Sequence, residues 1–271
     1  MHDWNRKAEC ESFDKWLLKT KIAAMSGDVD ARFELAECHR KGDSIELDYR
    51  QAALWYRLAA EAGHPQAQTN LALIFLNAHG TEQNLEFAAH WFKIAAQAGE
   101  SNAQYHLGFM LFVGLAMKQE LLEAEEWLNR AAFQGHVLAM STLGSLYTTG
   151  QGVTKNLSRG MMWMKLAAQA GESNSQHNLG MLFLTGDCGE QSFIEAANWF
   201  RLAASQGHAM SQNNLAMMLK DGLIECFEGE RWQELLDLSA LAGLPTAYKN
   251  FVQMAASNFE DMFSQGRING Y

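Results

Sequence analysis

Ser12-Phe13-Asp14-Lys15 spells S-x-x-K, the opening motif of some penicillin-recognising enzymes, in which the serine is the nucleophile. The companion S-D-N and K-T-G sequences are absent, and Phe13 falls in a core register, so no catalysis is expected there. The nine histidines are the next candidates, because neutral imidazole is a common metal ligand. His64, His136 and His208 recur every 72 residues, each directly after a glycine. Zinc ligands must converge within about 2 Å of one ion, whereas packed helices stand about 8–10 Å apart. Residues this far apart in a regular array do not share an ion, and their expected work is hydrogen bonding or packing at turns. His106 and His177 are separated in the same way. Cys10, Cys38, Cys188 and Cys226 form no C-x-x-C and no local pair, so four reduced thiols are expected rather than a disulfide or zinc framework. No G-x-x-x-x-G-K-[ST], G-x-G-x-x-G after a strand, H-E-x-x-H or G-x-S-x-G occurs. The expectation is no catalytic set, no metal and no cofactor.

Composition narrows the class further. The 271 residues carry 21 Lys and Arg against 31 Asp and Glu, a net charge of −10. That balance argues against a general nucleic-acid binder, which needs cations to displace phosphate counterions. Hydrophobic residues make up 48% and charged residues 19%, the values of a folded protein. No apolar run approaches the roughly 18 residues of a membrane span, and no membrane insertion is expected. Met1-His2-Asp3-Trp4-Asn5-Arg6-Lys7 contains no apolar leader segment, which makes the cytoplasm the expected compartment. Only two prolines interrupt the chain, so long helices are allowed.

The elements that must position any site emerge from internal repetition. Glycines stand at Gly27, Gly63, Gly99, Gly135, Gly171, Gly207 and Gly243, always 36 residues apart. Trp55, Trp91, Trp127, Trp163 and Trp199 keep the same interval, as do alanines from Ala24 to Ala240. A fourth column runs Leu35, Leu71, Leu107, Leu143, Leu179, Leu215 and ends at Phe251.

Each period reads as two helices. Ala67, Leu71, Ile74 and Phe75 make a helical stripe. After a short loop near His79-Gly80-Thr81, Leu85, Ala88, Trp91/Phe92 and Ala95/Ala96 make a second. Gly99 closes that helix, where a left-handed backbone suits glycine. One pair cannot bury its own apolar face, so the pairs must stack. The expected organisation is a capping half-repeat at 1–27, six repeats at 28–63, 64–99, 100–135, 136–171, 172–207 and 208–243, and a capping helix and tail at 244–271. Within the flanks, 12–26 reads as a lone second helix, with Phe13, Trp16, Ala23 and Ala24 in register, and 244–258 as a lone first helix. The sixth repeat is worn, with Trp232 and Leu235 replacing the usual Ala and Trp. Phe259, Met262 and Phe263 suggest one last docked helix.

These residues resemble the Sel1-like repeat, a longer relative of the tetratricopeptide repeat. Its first half, A-x-x-x-LG-x-x-Y-x-x-G-x-G-V, is matched by Ala139, Leu143-Gly144, Tyr147, Gly150, Gly152 and Val153. Its second half, A-x-x-W-(Y/F)-x-x-AA-x-x-G-(H), is matched by Ala52, Trp55-Tyr56, Ala59-Ala60 and Gly63-His64. The resemblance covers about residues 12–258. Its departures lie in the loops: only the fourth repeat keeps G-x-G-V, while 78–84, 114–120, 186–192 and 222–228 do not. It implies an all-α fold, a right-handed α-solenoid of antiparallel helix pairs whose first helices line a concave surface, acting as a scaffold or adaptor for other proteins. Some members bind or hydrolyse penicillins but carry one disulfide per repeat, a spacing missing here.

The sharper functional signal is excess apolarity on certain first helices. Leu35–Lys41 and Leu143–Thr149 have an ordinary polar side, but 71–76, 107–113 and 179–184 have none. A helix that is apolar all round is covered all round. On tetratricopeptide geometry two surplus columns face the concave side: Leu73, Phe109, Met181 and Met217, and Leu76, Phe112 and Leu184. Asn70, Tyr105, His106, His177, Asn178, Asn213 and Asn214 lie beside them. An apolar floor with amide and imidazole edges suits an extended peptide or a partner helix; tight curvature that buries the same side chains is the competing reading. The first functional expectation is therefore a non-catalytic protein–protein interaction scaffold with its partner segment in this groove. The second is a binder of small ligands or cell-wall fragments with weak hydrolytic activity. The third is self-association through the groove, the worn end or the tail.

Overall fold

A computed structural model describes residues 2–42, 45–187, 189–225, 231–243 and 245, with side chains from residue 13 onward. Among the described residues every regular element is a helix. The first helices are α2 (Val29–Lys41), α4 (Pro65–Leu76), α6 (Ser101–Val113), α8 (Val137–Thr149), α10 (Ser173–Thr185) and α12 (Ala209–Lys220). The second helices are α1 (His2–Met25), α3 (Tyr49–Glu61), α5 (Leu85–Gln97), α7 (Leu121–Phe133), α9 (Leu157–Gln169), α11 (Phe193–Ser205) and α13 (Trp232–Leu241). The chain divides into two compact bodies, Met1–Ala139 and Met140–Tyr271. In the first body α1 to α7 pack each on the next; in the second α9 to α13 do the same. The fold is an all-α solenoid. Among the described residues no helix is long and apolar enough to cross a membrane.

The recurring residues explain this regularity. At the end of α3, Gly63 adopts φ 91°, and the N–H groups of Gly63 and His64 donate to Ala60 and Ala59. This is the left-handed closure that glycine permits, and the same pair of bonds closes α5, α7, α9 and α11. Leu35, Leu71, Leu107, Leu143, Leu179 and Leu215 are all buried. The deepest large side chains of the second helices are the neighbours of the tryptophans: Tyr56, Phe92, Leu128 and Phe200 are fully enclosed, while Trp55 and Trp199 are half-buried. First and second helices of a pair touch closely. A Cβ on Gly144 would lie 3.0 Å from the Met164 backbone nitrogen, and one on Gly180 would lie 2.7 Å from the Phe200 ring. Only Ala or Gly occupies that column, from Ala36 to Ala216.

Two features differ from the sequence expectation. Helix α1 starts ten residues before position 12, at His2. Trp16 is 39% exposed rather than interior, a large ring in the column that Ala52 and Ala88 occupy elsewhere. Five loops share one closing hydrogen bond whether or not they keep G-x-G-V. Asp48, Asn84, Glu120, Asn156 and Ser192 each donate a backbone N–H to the carbonyl nine residues earlier. The first loop position is left-handed throughout, with φ 56° even at Ala78. That shared hydrogen bond dictates the loop, and alanine tolerates the conformation at a cost. The 244–258 helix, the 259–263 tail and Cys10, Cys188 and Cys226 lie outside the residues whose side chains are described.

Candidate interaction site

Each first helix is set in place by the residue just before it. Asp28, His64, Glu100, His136, Glu172 and His208 stand 36 residues apart, and each side chain accepts the backbone N–H three residues on. Their carboxylates or neutral Nδ1 atoms satisfy donors that a helix N-terminus leaves open. From residue 64 onward the caps alternate between His and Glu, and the preceding first helix matches each one. Facing the histidine caps are rings: Phe33 stacks on His64 at 4.4 Å, Tyr105 on His136 at 4.6 Å, and His177 lies 4.7 Å from His208. Facing the glutamate caps are hydroxyls: Thr69 Oγ1 donates to Glu100 at 2.9 Å and Ser141 Oγ to Glu172 at 3.0 Å. The histidines thus do the turn work expected of them. Among the described residues no three His, Cys, Asp or Glu side chains gather as a metal site would require.

In the N-terminal body α2, α4 and the start of α6 enclose a cleft of about 200 Å³, lined by Phe33, Glu37, Arg40, Gln66, Thr69, Asn70, Glu100 and Asn102. Glu37 is its organising charge. Arg40 donates Nε and Nη2 to the two Glu37 oxygens at 3.0 and 2.7 Å, and Lys41 Nζ lies 3.2 Å away. The Tyr56 hydroxyl donates to the same carboxylate, as does Asn70 Nδ2 at 2.9 Å. Burial alone would raise the Glu37 pKa, but the bonds from Arg40, Tyr56 and Lys41 outweigh it and lower it to about 2. Burial, then the neighbouring Glu37 charge, pushes the Tyr56 phenol upward. Glu37 therefore stays ionised and Tyr56 neutral across the physiological range.

The cluster was missed by sequence reasoning, yet a signal was present. Glu37, Tyr56 and Asn70 occupy the columns that hold Leu73, Phe92 and His106 one repeat later and Met181, Phe200 and Asn214 in the second body. Arg40 occupies the column of Leu76, Phe112 and Leu184. The first repeat therefore carries Glu37 and Arg40 where three others carry Leu73 and Leu76, Phe109 and Phe112, or Met181 and Leu184.

The predicted groove residues fall into three groups. Phe109 is 40% exposed, with Tyr105 beside it at 6.3 Å between ring centroids. Leu73, Leu76, Phe112, Met181 and Leu184 are half-buried and pack against the cores of their own bodies. Met217, Asn178 and Asn214 are half-buried too, and Asn214 Nδ2 lies 3.2 Å from Met181 Sδ. His177, at 6% exposed, and Asn213, at 9%, are interior and offer a partner little surface. His177 Nδ1 lies 2.9 Å from Ser211 Oγ. His106 is half-buried and stacks on Phe92 at 4.9 Å; burial, helped by His136, lowers its pKa to about 4. The structure brings Leu73, Leu76, Tyr105, His106, Phe109 and Phe112 together on α4 and α6, and His177, Asn178, Met181, Leu184, Asn213, Asn214 and Met217 on α10 and α12.

A serial stack of helix pairs, each closed by its own cap, defines an α-solenoid repeat protein. Residues 29–64, 65–100, 101–136, 137–172, 173–208 and 209–227 match the Sel1 repeat, and the chain belongs to that family, whose solenoids generally mediate protein–protein interaction. No curated protein matches the sequence. Among solved structures the chain is similar to c5321, a protective antigen of uropathogenic Escherichia coli strains with an SLR fold. The TM-score is 0.78 at 28% identity over 87% of this chain. The chain spans half the length of that protein, 50%. A Sel1 repeat protein from Oxalobacter formigenes aligns at a TM-score of 0.74 and 23% identity, over 86% of this chain and 94% of its own.

Proposed function

We propose that the chain is a non-catalytic cytoplasmic scaffold that holds a segment of another protein against its first helices. The observation that carries this reading is Phe109, a large ring 40% exposed at the centre of a helix, flanked by Tyr105 and by the polar cleft one repeat away. Interface energy concentrates in a few large central residues surrounded by weaker polar contacts. Burying one such ring is worth about 1.5–3 kcal/mol, roughly tenfold to a hundredfold in affinity. Phe112 packs inward as well, so the single Phe109→Ser variant separates binding from folding better than the double variant with Phe112→Ser. A photo-crosslinking residue at 113, one turn along the exposed face of α6, should capture a partner in native cells, and adding Phe109→Ser should lose that capture while melting like wild type. Retained capture by Phe109→Ser would sink this reading. The scattered cysteines support the compartment: reductant should leave the thermal melt unchanged, and an intramolecular disulfide in protein from native cells would overturn it.

A further inference from the structure

The charge of the first helices differs from that of the second helices. Helices α4, α6, α8 and α10 contain no Asp, Glu, Lys or Arg at all, and α12 has only Lys220 in its last position. Every second helix from α3 to α13 carries at least two. Helix α2 breaks the pattern. It holds Asp30, Glu34 and Glu37, of which Glu37 lines the cleft, with Arg32 between the first two and Arg40 and Lys41 at its end. Arg40 and Lys41 are committed to Glu37, and Arg32 donates to the carbonyls of Ala24 and Leu58. Asp30 is exposed with only His64 Nε2 nearby at 3.7 Å, and Glu34 is exposed.

We infer that the partner segment is uncharged along the stretch covering α4 and α6 and carries a Lys or Arg where it meets α2. This rests on the groove reading above. A charge laid against Leu73 and Phe109 loses its water and finds no counter-charge, which costs far more than an apolar or amide group in its place. The absence of ions on these helices therefore rejects charged segments as strongly as their apolar surface attracts uncharged ones. The exposed amide of Gln66 supplies both a donor and an acceptor, which suits the backbone of an extended peptide. At the α2 end the balance reverses. Arg40 and Lys41 pair with Glu37 and Arg32 donates to the Ala24 and Leu58 carbonyls, so Asp30 and Glu34 are left without an ion pair on α2, and they favour a cation. The overall charge of −10 steers a basic end in the same direction.

The test is selection of a short random-peptide display library on the full chain. Enriched peptides should lack charge except for one Lys or Arg near one end. Phe109→Glu should weaken them at least about tenfold, and Asp30→Asn with Glu34→Gln should abolish the preference for the basic end. If Phe109→Glu melts early, Val113→Glu, one turn further along the exposed face of α6, takes its place. Peptides that carry charges throughout yet remain sensitive to Phe109→Glu would overturn the inference and leave the groove standing. A basic preference that survives the α2 substitutions overturns it as well. Peptides indifferent to both groove variants, or no enrichment at all, bring down the groove reading itself.

Discussion

The imidazole of His136 lies on the ring of Tyr105, centroids 4.6 Å apart, while its Nδ1 accepts the backbone N–H of Ala139 at 3.2 Å. Only a neutral imidazole has that lone pair, so the cap fails when the ring is protonated, and a protonated ring at a helix N-terminus also meets the positive end of the dipole.

Acid should therefore loosen the fold in a definite window. Burial lowers the pKa of His106 and of His177 to about 4, helped by His136 and His208 respectively. Burial also lowers His136 and His208, against the opposing charges of Glu100 and Glu172. The unfolded chain binds these protons near 6.5 and the folded one does so later, so stability is full above pH 6.5 and falls as pH drops towards 4. The loss should be on the order of 2–5 kcal/mol. Glu37, held at about 2, adds its own loss only below the ordinary carboxylate range. His106→Asn and His177→Asn use a residue both columns already accommodate, at Asn70 and Asn213. Urea melts of this pair should show a markedly shallower slope between pH 6.5 and 4.5, and an unchanged slope would refute the assignment.

Gln68 illustrates a missing partner. Its Nε2 donates to Ala60, but its buried Oε1 has none. In two other repeats the corresponding oxygens, on Gln104 and Gln176, accept from Gln134 and Gln206. Position 98, the equivalent donor site, is alanine with the same backbone conformation as Gln134. Ala98→Gln should add about 1 kcal/mol, read from the urea midpoint of the N-terminal body. A midpoint that stays put or falls counts against it.

The strained loop offers a second gain. Ala78 holds φ 56° where the other repeats place Gly42, Gly114, Gly150, Gly186 and Gly222. Ala78→Gly should stabilise by about 0.5–1 kcal/mol, the left-handed strain released less the extra entropy of an unfolded glycine. The reverse change at Gly150, whose new Cβ would stand 3.0 Å from Lys155 Cβ, should destabilise.

Two tryptophans should respond oppositely. Trp127 is 8% exposed, with Nε1 donating to Glu123 and the Arg130 guanidinium 4.4 Å over its ring. Trp127→Ala should cost about 3–5 kcal/mol. Trp16→Ala, at the open face of α1, should cost well under half of that. Equal losses in thermal melts would show that burial does not distinguish them.

The helix pairs were legible because glycine, tryptophan, alanine and leucine recur by type. What escaped was anything encoded by pairs of columns. Phe33, Thr69, Tyr105, Ser141 and His177 look like an unconstrained series until each is set against the cap it faces. The histidines at 64, 136 and 208 were recognisable as turn residues, but not their need for an aromatic neighbour. Glu37 and Arg40 resemble any solvated pair three residues apart on a helix. Their role appears only when Tyr56 and Asn70, from two other helices, close on them. Tyr56 itself was overshadowed by Trp55, although the second ring is the one fully enclosed.

The facing of Phe33 on His64, Thr69 on Glu100 and Tyr105 on His136 also fixes where the array can be spliced. Each matched pair lies between one cap and the next. Excising 65–100 would leave Phe33 with His64 and Tyr105 with His136, every joint intact. Excising an equal length at 85–120 would bring Thr69, a hydroxyl suited to a carboxylate, against an imidazole. Two deletions of identical size thus differ in whether the shortened chain still fits together, and the seam that preserves the fit runs immediately after the cap.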